Sequence, residues 1–245
     1  MRQAQMYVPP LSKINKYIII AHVGLFIFNS ILKASAGSNL VSFLGLSFNG
    51  LSQGLVYQLF TFPFIEVSFI SVLFNSMLVW FIGGDLETRW GSYFYAKFLA
   101  ISAFSAGIVY LAVTVFAGPS FQFIPLQGLG GVVFALLVAY GIIFADRYLT
   151  FMLLFPMKAK YFCMILGGIE LYMGLFSPHG KASWAHLSAA VAGFIYLKLK
   201  SMRARGQNLG DFMKKARKNR QKRNLKIVRD EDRQSSDPED PKYWQ

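Results

Sequence analysis

Gln127-Gly128-Leu129-Gly130-Gly131-Val132-Val133-Phe134-Ala135-Leu136 decides the fold of this chain. Glycines with almost no side chain lead into an unbroken apolar run, the opening of a helix that buries itself in a non-aqueous solvent. Further along, Ala185-His186-Leu187 opens a second apolar run, with an ionisable group where the first has none.

Composition agrees with a membrane setting. Of 245 residues, 54% are hydrophobic and only 15% charged, outside the usual range for a water-soluble domain. Six apolar segments are predicted, over residues 17–32, 67–83, 94–117, 128–144, 161–176 and 184–199. The expected fold class is therefore all-α, a polytopic membrane bundle of six helices over residues 1–200. A cytoplasmic tail, basic then acidic, is expected to be disordered over 201–245. The single cysteine, Cys163, has no partner for a disulfide, and three scattered histidines predict no metal site and no cofactor. The polar stretch 1–16 followed by an apolar run without a small-residue cleavage pattern reads as a retained anchor rather than a signal peptide.

Orientation follows from Lys and Arg, which stay on the cytoplasmic side. Arg2, Lys13, Lys16, Arg89, Lys97, Arg147, Lys158 and Lys160 fall on one side of a six-span arrangement, and Lys33 and Lys181 on the other. Both termini are expected in the cytoplasm, with the protein in a bacterial inner membrane. The stretch 33–66, with no Lys or Arg after Lys33, reads as a loop lying partly in the interface. Residues 198–245 hold 15 of the 25 Lys and Arg and 7 of the 12 acids. The run Lys214 to Arg223 implies contact with anionic lipids rather than nucleic acid, because no aromatic interleaving accompanies it.

Small residues recur every four positions at Gly131, Ala135 and Ala139, and again at Ala185, Ala189 and Gly193. Such ladders let helix backbones approach closely in lipid, so the fourth and sixth helices are expected to touch, with His186 beside the contact. His22 and Asn29, seven apart, predict interhelical hydrogen bonds from one face of the first helix. Glu170, inside the fifth segment, needs a partner or a proton.

Four motifs in order resemble the rhomboid family of intramembrane serine proteases. Asn75, in Leu73-Phe74-Asn75-Ser76, matches the family's oxyanion-binding asparagine. Gly84-Asp85-Leu86-Glu87-Thr88-Arg89-Trp90-Gly91 matches a G-x-x-E-x-x-x-G turn, with Glu87 and Arg89 implied in a structural network. Gly128-Leu129-Gly130-Gly131 stands where the family has G-x-S-G, and Ala185-His186 through Gly193 matches A-H-x-x-G-x-x-x-G with Ala189 for the first glycine. The resemblance implies a serine nucleophile at 130, with His186 as general base and residues 71 and 75 in the oxyanion site.

The chain departs from that pattern at Gly130 for the serine, Ser71 for a histidine, Phe134 for a tyrosine and Tyr57-Gln58 for a Trp-Arg pair. Several departures at once point to natural drift rather than a designed inactivation. The function this implies is a pseudoprotease that binds transmembrane segments of client proteins. The alternatives are an intramembrane serine endopeptidase, if residue 130 is a serine in the unmodified gene or another hydroxyl serves, and, further off, a transporter or channel.

Overall fold

The computed structural model describes residues 11–151, 155–177 and 180–202. The N-terminal charge and the tail's basic and acidic runs lie outside them. The chain divides into two compact units, Met1–Leu197 and Lys198–Gln245. The first holds the helical bundle.

Its six principal helices are α1 (Lys13–Ala36), α2 (Phe69–Trp90), α3 (Ser92–Ala117), α4 (Gly130–Ile143), α5 (Ala159–Phe176) and α6 (181–202). Four of them, α1, α2, α3 and α5, are long and apolar enough to cross a membrane unaided. At 14 residues α4 is shorter, about 21 Å by its rise per residue against a hydrocarbon core of about 30 Å. It is also the most enclosed, with Gly131 through Leu137, Ala139 and Tyr140 all buried. Gly130, in its first turn, lines the cavity in which the site lies.

The outer helices turn the soluble pattern inside out. The buried residues of α1 are Asn15, His22 and Asn29, while Tyr17, Ile20, Ile27, Phe28 and Ile31 are exposed. Lipid solvates the apolar faces, and each polar side chain turns inward to a partner. Tyr95 donates to Asn15 Oδ1 at 2.6 Å, and Leu40 N–H donates to Asn29 Oδ1 at 2.8 Å. His22 Nδ1 lies 3.3 Å from the Phe64 carbonyl. His22 and Asn29 thus share one face as expected, but bond the backbone of the connecting segment instead of another helix, because that segment folds back along α1.

The segment between α1 and α2 is a packed structure of short helical turns, with Leu46, Gln58 and Ile65 fully buried. Gln58 accepts from Ser47 N–H at 3.3 Å and donates to the Phe43 carbonyl at 3.2 Å. An isolated antiparallel bridge, Leu46↔Leu126, ties the segment to the approach to α4.

One π-helical turn, Val79–Gly83, interrupts α2 and brings Gly83 against Asn15 and Tyr95. Gly91, at φ +79, makes the reversal into α3. Between α4 and α5 lies an antiparallel hairpin, β1 (Tyr148–Phe151) and β2 (Phe155–Lys158), paired from Tyr148↔Lys158 to Phe151↔Phe155. The hairpin lies in a connection, and the bundle itself is all-α as expected. Pro156 bars a helix there, and the Tyr, Thr and Phe around it favour extended backbone.

The small-residue ladders meet as expected at Gly131, whose missing side chain faces Ala189 and also Ala106 of α3. Gly193 instead packs on the Phe98 ring and the Ser102 hydroxyl of α3, so the α6 ladder serves two neighbours. At the opposite end from the start of α4, Arg147 pairs with Asp85 at 2.6 Å and Tyr140 donates to Asp85 at 3.1 Å. Lys160 and Lys158 flank Asp146 at 3.0 and 3.5 Å and hold its carboxyl below the usual carboxylate range. Glu87 and Arg89 do not bond each other. Buried Glu87 accepts from Ser92 at 2.7 Å and from Ile14 N–H at 3.4 Å, and Arg89 lies over the Phe144 ring, 5.4 Å from its centroid.

Candidate functional site

Gly130 begins α4 and His186 lies in the second turn of α6, at the same end of the bundle. A side-chain carbon added at Gly130 would sit 2.7 Å from His186 Nε2 and 2.8 Å from its Cε1. The two positions are in direct contact, with no other side chain between them.

Behind the imidazole, Glu170 of α5 puts Oε1 3.0 Å from His186 Nδ1. A carboxylate there fixes which nitrogen carries the proton and leaves Nε2 as the acceptor facing residue 130. In the sequence Glu170 stands as an isolated acid. The signal was present, since two intramembrane ionisable groups each need a partner, but their juxtaposition depends on how α5 is rotated against α6.

A cavity of about 400 Å³ opens on this pair, lined among others by Glu66, Ser71, Asn75, Gln127, Gly130, Phe134, Glu170 and His186. Ser71 and Asn75, four residues apart on α2, both face it, as does Phe134 from α4. The structure therefore gathers Gly130, His186, Asn75, Ser71 and Phe134 around one space. Gly131, Ala189 and Gly193 sit outside it at helix contacts, and Glu87 and Arg89 lie at the other end of α2.

Gly128 explains the approach to α4. Its φ of +89 favours glycine, and an added Cβ would stand 2.5 Å from Glu66 Oε2. Glu66 is 7% exposed, a second carboxylate that the sequence leaves at the end of a loop. Its Oε1 accepts from Val67 N–H at 3.0 Å and Ser68 N–H at 3.4 Å. Burial pushes its carboxyl pKa up, and those amides together with His186 pull it back.

Other hydroxyls are engaged or remote. Ser188 donates to the Ala185 carbonyl at 2.7 Å and lies 3.3 Å from the Ser105 carbonyl, turned toward α3. Of Ser71, Ser76, Ser102, Ser105 and Ser188, only Ser71 lines the cavity. The site therefore has a base held in one orientation and polar groups to surround a carbonyl. At the position facing the base it has no oxygen to attack with.

Comparison with known proteins agrees with this geometry. Residues 16–217 match the family described as "Eukaryotic integral membrane protein (DUF1751)". Over 120 residues the chain is 31% identical to the rhomboid protease GlpG of Salmonella choleraesuis, covering 49% of this chain and 40% of that protein. It is 30% identical over the same length to the rhomboid proteases GlpG of Salmonella paratyphi A and Salmonella typhi. The match spans 40% of the length of these curated relatives. The chain belongs to the DUF1751 integral membrane family and is a multi-pass membrane protein of the rhomboid family.

Proposed function

We propose that this protein holds transmembrane segments of client proteins without cutting them. One observation supports the reading above all: the space facing His186 Nε2 belongs to Gly130, which has no nucleophile. The mouth of the cavity suits a helix arriving sideways through the membrane. Ile70 of α2 and Ile169 of α5 both line it, yet are 65% and 52% exposed, so apolar surface continues from the bilayer to the polar interior.

The test uses purified protein and a model transmembrane substrate. No cleavage product is expected by mass spectrometry, while a photocrosslinker placed at Ile70 captures the substrate. Products made by this chain would overturn the reading. A second reading, a slow endopeptidase acting through Ser71, draws on Ser71 lining the same cavity as His186. Products abolished by Ser71→Ala would establish it.

The reading includes an orientation, with both termini in the cytoplasm of a bacterial inner membrane and the basic tail on anionic lipid head groups. The cluster of Arg147, Lys158 and Lys160 at the end of the bundle away from the cavity supports it. In a Cys163→Ser background, cysteines introduced at Asn49 and at Ser235 should label from opposite sides of intact cells. Equal labelling would reject the orientation.

A further inference from the structure

A second cavity, of about 740 Å³, shares no lining residue with the one around His186. It is a groove between α1 and α3. Ile14 and Ile18, one turn apart on α1, face Ala96, Ala100 and Ala103 of α3, whose short side chains leave the space open. Leu129 and Val132 of α4 form its floor, 2% and 5% exposed, and Ile101, Phe104 and Ile108 form its rim, each more than a third exposed. Apart from Ser105, every residue lining it is apolar. The groove is therefore continuous with the bilayer yet reaches the innermost helix.

Charge is confined to one end of it. Lys97 falls four, seven and eleven residues before Ile101, Phe104 and Ile108, so it stands on the same stripe of α3. Lys13 precedes Ile14 at the same end. Both lysines are exposed, and neither forms an ion pair among the described residues. Lys97 Nζ rests 4.2 Å from the centre of the Tyr93 ring. Glu87, the acid bonded to the Ile14 N–H, is buried and also accepts from Ser92. The segment between α1 and α2, which contributes Leu59, Phe60, Pro63 and Phe64, brings no cation to the groove.

We propose that this groove holds one acyl chain of an anionic phospholipid, with its phosphate beside Lys13 and Lys97. The length fits, because Ala96 to Ile108 spans about 18 Å by the rise per residue, against about 15 Å for half of a hydrocarbon core about 30 Å thick. The volume excludes a helix. One about 10 Å across fills about 1,400 Å³ over that length, nearly twice the space present. A flexible chain follows the alanines down to Leu129, and lysines at the membrane surface favour an anionic head group. The groove and the client-binding cavity are separate surfaces, and neither reading depends on the other.

The experiment reconstitutes the full chain in nanodiscs doped with a phospholipid that carries a photoreactive diazirine on its acyl chain. The head group is either phosphatidylglycerol or phosphatidylcholine, and mass spectrometry maps the labelled residues. Labelling is expected at Leu129 or Val132, which only a chain inside the groove reaches, as well as at exposed positions of α5 such as Met164 and Phe176. The phosphatidylglycerol probe should label the groove about fivefold more than the phosphatidylcholine probe, and Lys13→Gln combined with Lys97→Gln should bring the two together. Ala100→Phe, which fills the groove, should remove the labelling of Leu129 and Val132 and leave that of α5. Labelling confined to exposed positions overturns the proposal, and so does equal labelling of the groove by both probes. A preference that survives the double lysine variant places the head group elsewhere and overturns it too. If a poly-leucine transmembrane helix displaces the probe from the groove, the occupant is a helix and the lipid assignment falls. The comparison of the two probes needs only the unaltered protein, so it decides even where a variant does not fold.

Discussion

Gly130→Ser turns this protein into a slow peptidase. The position for the new side chain is 2.7 Å from His186 Nε2, closer than a side-chain carbon can stand, so the imidazole must retreat by about 0.8 Å before a hydroxyl fits between them. The ring can make that movement by pivoting about the nitrogen bonded to Glu170. The hydroxyl would then lie in hydrogen-bonding reach of a base already oriented by a carboxylate, the arrangement nucleophilic catalysis needs. The oxyanion side is weaker, with Asn75 present but Ser71 where the family resemblance implies a histidine. Losing one such donor typically costs about 10²–10³ in rate, so turnover should fall about that far below an intact site. Two measurements check it. A fluorophosphonate probe should label Gly130→Ser but neither the parent nor Gly130→Ser combined with His186→Ala, and mass spectrometry should find cleaved substrate after long incubation. A folded variant that neither labels nor cleaves sinks the idea that only the nucleophile is missing.

The part of the molecule legible in its sequence is the part fixed by single helices. The glycines at 128, 130 and 131 announced the start of α4, and the four-residue ladders foretold the meeting of Gly131 with Ala189 because close approach in lipid requires small side chains. His22 and Asn29 were readable as one face because seven residues are nearly two helical turns. Their partners were not, since they are backbone groups of a segment whose folding back along α1 no periodicity encodes.

The same division runs through the site. Gly130, His186 and Asn75 could be named from motifs, whereas the pairing of Glu170 with His186 depends on the rotation of α5. Glu66 reaches the cavity from the loop before α2, where apolar periodicity has nothing to say. The hairpin β1–β2 was missed for a related reason, as a short apolar run around a proline carries too few residues to separate strand from helix end. Interactions that cross between elements remained hidden, and here those interactions set the charge of the cavity.

At the other end of the bundle, Gly83→Ala should be the most damaging single-methyl change in a helix. Gly83 lies in the π-helical turn of α2, where a Cβ would fall on the Tyr95 hydroxyl and 2.8 Å from Asn15 Nδ2. Neither side chain can yield cheaply. Both are fully buried, and they share the 2.6 Å hydrogen bond that joins α1 to α3. The added methyl must either force the helices apart, an overpacking of about 1–3 kcal/mol, or break that bond and strand two buried polar groups, about 1–3 kcal/mol more. Tyr95→Phe should cost only the second part, because it removes the hydroxyl without enlarging anything. Gly24→Ala provides the control, being a helical glycine of α1 with nothing within 4 Å of the added carbon. There the better helix propensity of alanine should leave stability unchanged or slightly raised. Unfolding followed in mixed micelles of increasing SDS fraction should therefore rank the proteins as Gly24→Ala, parent, Tyr95→Phe and Gly83→Ala in falling order. If Gly83→Ala unfolds at the parent's midpoint, the close packing of α1, α2 and α3 around Asn15 is not what holds that end of the bundle together.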